Sequence, residues 1–183
     1  MARVELDEAA LSPEQRQIFD AMASGPRGKV QGPLRVWLQS PMLAERAQAL
    51  GAFCRFGSSL EPRLSELAIL ITGAYWKAGF EWYVHAPIGL KAGLDPAAVE
   101  AIRMRGAPKF ARDDEAAIHD FARELLDQKR VSEPTYQRAK KELGERGVVD
   151  LVAILGYYGL ISMTINTFEV DLPLGAKDPF GDC

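Results

Sequence analysis

The 183-residue chain holds only two cysteines and two histidines. Cys54 and Cys183 lie far apart, so they build neither a disulfide framework nor the paired spacing of a thiolate metal site. A reducing compartment, the cytoplasm, fits that usage. His85 and His119 are too widely spaced for a His-Glu-x-x-His motif and argue against a dedicated metal site. Positive charge is also scarce: 22 Lys and Arg against 25 Asp and Glu give a formal charge of −3, with a pI near 5.5. Duplex binding needs a basic excess on one face, so nucleic acid is not an expected partner. No phosphate-cradling Gly-rich loop and no Gly-x-Ser-x-Gly elbow occurs. The start, MARVELDEAALSPEQ, is polar and acidic where a signal peptide would be basic and then apolar. The longest apolar stretch, Leu151 to Ile165, is broken by Gly156, Gly159, Ser162 and Thr164. It is short for a bilayer and reads as a buried helix, so no membrane association is expected.

What is present is apolar residue at helical spacing, 48% of the chain, enough for one good core. One domain over 1–183 is expected, with a helix and loop in 1–33 and a tail in 171–183. No run alternates as a strand would, and caps punctuate the helical segments, so the fold class is all-α. Ser12-Pro13-Glu14-Gln15 opens the first helix as a capping box. SGPRGKVQGP, with three Gly and two Pro in ten residues, is a loop whose Arg27 and Lys29 are read as solvated, the alternative being that they border a pocket for an anion. After a short apolar turn at Leu34 to Gln39, a helix from Pro41 to Phe56 carries an expected inward stripe of Leu43, Ala47, Leu50 and Cys54. Cys54 is read there as a small buried hydrophobe. Later helices are expected from Asp95-Pro96, over Asp113 to Lys129 with His119 beside its apolar stripe, from Ser132, and through the apolar terminal run. The tail has few apolar anchors and is expected to fray or to lie across a neighbouring subunit.

The chemistry concentrates between Leu60 and Leu94, LEPRLSELAILITGAYWKAGFEWYVHAPIGLKAGL. Glu66 lies inside an apolar helical run, where an unpartnered carboxylate would be costly. On the next run Glu81 and His85 are four apart, hence on one helix face. Gly79 marks the corner that would bring the two helices face to face. Carboxylate contact raises an imidazole's pKa and burial lowers it, so His85 is expected near neutrality with a Glu partner to exchange protons. Glu66, in the same dry pocket, is expected to have its neutral form favoured.

These residues resemble the carboxymuconolactone decarboxylase family, within the superfamily that also holds the alkyl hydroperoxidase D (AhpD) proteins. The match consists of Glu66, His85, the run HAPIGLKAGLDPAAVEAI, and a closing pattern of Gly156-Tyr157-Tyr158, Asn166, Phe168, Val170, Leu172 and Pro173. It covers most of the chain beyond about residue 34. The thiol branch carries Cys-x-x-Cys ahead of the His; here Ala78 and Glu81 stand at those positions, which leaves no thiol to attack a peroxide. The resemblance implies an AhpD-like helical bundle, a homo-oligomer (trimer or hexamer), and a lyase of aromatic-compound catabolism. It further implies cofactor-free decarboxylation of a small carboxylic acid or lactone, without a metal. His85 would donate the proton or stabilise the enolate, Glu66 would be its partner and proton shuttle, and Glu81 would orient it. Tyr75, Trp76 and Trp82 would shape the pocket wall. Arg55, Arg63, Lys77 and Arg103 are all eligible to hold a substrate carboxylate. A non-catalytic, ligand-binding member of the scaffold is the alternative, ahead of a hydroperoxidase.

Overall fold

The computed structural model describes residues 2–25 and 28–181, so Arg27 and Cys183 lie outside the described residues. It is all helical, with no strand among the described residues. After a short 3-10 turn at Glu8–Ala10 come α1 (Pro13–Ser24), α2 (Pro33–Trp37) and α3 (Pro41–Ala52), the last continuing as a π-helical turn at Phe53–Gly57. Then follow α4 (Pro62–Tyr75), α5 (Gly79–Lys91), α6 (Pro96–Arg103), α7 (Asp113–Gln128) and the long α8 (Glu133–Phe168). Inside α8, Gly144 has φ +72° and ψ 171°, so two helical segments meet there at a kink.

The caps predicted from sequence form as chemistry requires. Ser12 accepts from the Gln15 N–H while the Gln15 side chain accepts from the Ser12 N–H, closing both ends of the box. Asp95 accepts from the N–H groups of Ala97 and Ala98 at the start of α6. Ser132 departs from expectation: its hydroxyl bonds to the Glu124 carboxylate and the Thr135 hydroxyl, leaving the α8 start without a side-chain cap.

The centre of the molecule is α4, where every side chain from Arg63 to Ala74 is buried. Helices α5, α6, α7 and α8 all pack on it, which is why no polar face survives. The apolar segment of α8 is long enough to cross a membrane by composition, yet it is mostly buried against α4 and α7 as a core helix.

Two details correct the sequence reading of the first half. Leu43 and Leu50 are 43% and 46% exposed, and α3 instead turns its small residues Ala44, Ala47 and Gly51 inward, with Cys54 fully buried beyond them. A periodic pattern gives the stripe but not which neighbour stands beside it. With Met42, Phe53 and Phe56, and with Val149, Val152 and Met163 on α8, these leucines leave apolar side chains in solvent. The corner between α4 and α5 is made by Lys77 at φ +49°, not by Gly79, which begins α5.

The tail also differs from expectation. It folds back on its own chain: Phe180 is buried edge-on to Trp82, ring centroids 5.5 Å apart, and the Arg103 guanidinium donates to the Pro179 carbonyl. The tail thereby braces the N-terminal turn of α5. Gly32, at φ +56°, lies so close to the Phe80 ring that any Cβ there would collide with it. That contact fixes Phe80 as a wall of the cavity described next.

Candidate active site

Glu66 on α4 and Glu81 and His85 on α5 converge, all three being at most 5% exposed. The His85 Nδ1–H donates to Glu66 Oε2 at 2.7 Å, and Nε2 lies 2.9 Å from Glu81 Oε1. The second contact is an ion pair rather than an aligned hydrogen bond, and no other donor reaches Glu81 Oε1 among the described residues. The Glu81–His85 contact is local, one turn of α5. The Glu66 contact spans 19 residues and depends on α4 and α5 packing side by side. Gly89 permits that packing: a Cβ there would sit 2.9 Å from Leu94 Cδ1 and 3.2 Å from Leu70 Cδ1 on α4.

Burial of the ring works against its charged form, but the charge of Glu81 and the hydrogen bond to Glu66 outweigh it and push His85 up to about 9. The imidazole is therefore not poised near neutrality as the sequence suggested. A ring raised in this way holds its proton through neutral pH.

A cavity of about 590 Å³ opens over this cluster. Glu81 and His85 line it, while Glu66 does not, standing behind the imidazole. Of the two glutamates, Glu81 faces the open space and Glu66 bonds to the far side of the ring. The apolar wall comes from Phe80, Val84, Pro87 and Ile88 on α5, Leu34 on α2 and Ile161 on α8. Tyr158 also lines it, edge-on to His85 at 5.3 Å. Pro87 stays inside α5, which continues through it.

Tyr75, Trp76 and Trp82, expected as pocket wall, lie off the cavity. Tyr75 accepts from the Lys129 ammonium and sits under Arg105, Trp76 packs on Tyr75, and Trp82 packs on Phe180. Trp82 lies about 100° round α5 from Glu81, on the side that meets the tail rather than the cavity. Of the four cations considered for a substrate carboxylate, Arg55 alone lines the cavity. Arg63 is spent on Asp114 and Glu115, and Arg103 on Glu100 and the tail. Lys29, whose alternative reading placed it at the border of an anion pocket, is at the cavity as well. Its loop position left the choice open: a Gly- and Pro-rich segment offers no periodicity from which to infer a direction.

His119 stays apart, against the Phe110 ring and Asp120, with burial holding it below its ordinary value. Among the described residues, no group of three or more His, Cys, Asp or Glu is arranged to hold a metal ion.

No family model and no curated protein matches the chain. Solved structures do. An uncharacterized peroxidase-related protein from Silicibacter sp. superposes with a TM-score of 0.74 at 16% identity, over 93% of this chain and 91% of that one. The debrominase Bmp8, solved as a cysteine-to-alanine variant with 2,3,4-tribromopyrrole, gives 0.74 at 14% identity, over 95% and 92%. A protein of unknown function from Agrobacterium tumefaciens, suggested to be the antioxidant-defence protein AhpD, gives 0.67 at 14% identity, over 79% and 99%. The chain therefore has the AhpD-like fold, and at these identities the chemistry must be argued from its own side chains.

Proposed function

We propose that the protein is a cofactor-free carboxy-lyase acting on a small carboxylated lactone or keto acid, with Glu81 and His85 moving the proton. The observation that carries this reading is the buried Glu66–His85–Glu81 cluster at a cavity of about 590 Å³. A thiol route has no support among the described residues, because no cysteine lines that cavity.

In such a reaction the bond to the leaving carboxylate breaks, its electron pair enters the conjugated carbonyl, and carbon dioxide departs. The resulting enolate takes a proton at carbon. An imidazolium held up to about 9 is charged at neutral pH and stabilises that enolate before protonating it. Glu81 beside it is the acceptor that can return a proton, and Glu66 fixes the ring from behind. The apolar wall strips water from the leaving carboxylate.

A panel of carboxylated lactones and β-keto acids in deuterated water tests this. The expected result is release of carbon dioxide from at least one compound, with deuterium at the carbon that lost the carboxylate. His85→Gln is expected to lower kcat by roughly 10²- to 10⁴-fold. Release that continues unchanged in that variant, or no release from any compound, removes the proposal and leaves ligand binding as the scaffold's use. Self-association through the exposed apolar side chains of α3 and α8 belongs to the same reading. Sedimentation giving a monomer would remove that part.

A further inference from the structure

Four observations about the cavity concern ligand recognition rather than proton transfer. Besides the His85 imidazolium, its cationic lining residues are Arg55 and Lys29, and its acidic one is Glu81. Neither cation has an ion-pair partner among the described residues, whereas Arg63, two turns further on, is fully engaged. Arg55 is also held in place. It stands in the π-helical turn between fully buried Cys54 and Phe56, with its guanidinium 5.2 Å from the Phe56 ring centroid. Just beyond, Ser59 donates through both N–H and hydroxyl to Asp150 on α8, at 2.7 and 2.6 Å, which pins the loop that follows. Finally, Glu81 Oε1 is buried at the cavity wall with the His85 ring beside it and no other donor among the described residues. A carboxylate can accept from more than one donor, so a ligand hydroxyl could be taken up there.

Resting on the acid–base reading above, the geometry points to Arg55, seconded by Lys29, as the anion anchor of this cavity. The ligand is a small organic acid: an anionic group on the guanidinium, an apolar body against Phe80, Val84 and Ile161, and a hydroxyl or enolisable group presented to Glu81. Arg55 is a specificity residue in this scheme and takes no part in the proton transfer. A guanidinium offers a planar fork to a carboxylate, which lysine does not, so replacement by lysine should restore only part of the preference.

The test compares acids with their uncharged amides: 4-hydroxyphenylacetate against 4-hydroxyphenylacetamide, and levulinate against levulinamide, by calorimetry. The intact protein is expected to bind the acid of at least one pair roughly 10- to 100-fold more tightly than its amide. Arg55→Gln should bring the two to equal affinity, Arg55→Lys should keep part of the difference, and Lys29→Gln should reduce it about threefold. Thermal midpoints of all variants check folding. A preference that survives Arg55→Gln overturns the assignment, and so does a result in which neither acid binds the intact protein better than its amide. His85→Gln separates this from the proposal it rests on. If acid preference persists there and no substrate is ever turned over, the anchor stands and the lyase reading falls. If His85-dependent turnover is found without any acid preference, the reverse holds.

Discussion

Arg63 and Glu66 lie three residues apart on α4, both buried, and each belongs to a cluster of one base between two close acids, with the exposed Glu61 a further partner of Arg63 at 3.8 Å. Arg63 reaches Asp114 at 2.7 Å and Glu115 at 2.5 Å on α7, with Asp114 28% and Glu115 7% exposed at the side chain. In the other cluster, His85 stands between Glu66 and Glu81. The stoichiometry is the same and the outcome is not. A guanidinium keeps its proton at any accessible pH, so the first cluster has a fixed charge and ties α7 to α4. Burial works against the Asp114 carboxylate, but the bond from Arg63 prevails and holds it below its ordinary range. An imidazole can release its proton, and here it faces a cavity with an acceptor beside it. The comparison teaches that burial and ion pairing alone do not mark a site; what marks it is a base that can exchange its proton where a ligand can reach it.

The largest expected effect that could break this contrast is on turnover. Glu81→Gln removes the acceptor at the cavity and should lower kcat by roughly 10²- to 10⁴-fold, while Arg63→Met should leave kcat within a few-fold. Equal losses in steady-state assays of the two variants would collapse the distinction. Stability should rank them the other way. Arg63→Met strands the buried Glu115 carboxylate and should cost about 3–5 kcal/mol in denaturant unfolding, with Glu81→Gln costing clearly less.

The two clusters should also fail at opposite ends of the pH scale. His85 is raised in the folded state from 6.5 to about 9, so its contribution is complete below about pH 6.5 and is lost as pH climbs through 9. That contribution is on the order of 3 kcal/mol. Asp114 is lowered, so its contribution is present above its unfolded value and lost as pH falls. Melting temperature against pH should therefore show an alkaline limb that Glu66→Gln shifts toward lower pH and that Arg63→Met leaves in place. An unmoved alkaline limb in Glu66→Gln would mean that the limb belongs to another group. The smallest effect is expected at the exposed Arg138–Asp120 pair, 43% and 49% exposed at the side chains: Arg138→Ala should change stability by about 1 kcal/mol or less. A larger loss would show that charge pairing on this surface is stronger than its exposure implies.

Legibility from the chain followed locality. The caps at Ser12 and Asp95, the inward Trp37 and the buried terminal helix could be read because each depends on residues within a turn or two. Leu43 and Leu50 misled because amphipathic spacing is satisfied equally by a core and by an uncovered face. Phe180 was invisible as an anchor, since a lone aromatic in a Gly- and Pro-rich tail has no pattern to announce its partner, Trp82. Arg55 was one of four eligible cations until the π-helical turn and the loop after it decided which one faced the cavity.

By itself the sequence determined the helices, their ends, and the meeting of Glu81 with His85, because one helical turn brings residues four apart within reach whatever surrounds them. Only the tertiary structure decided that Glu66 stands behind the ring, that Glu81 faces the open space, and that Arg63 is not available to a ligand. Those relations depend on how α4, α5 and α7 rotate about their axes to bury the most apolar surface, a choice made by the whole core rather than by any one stretch of chain.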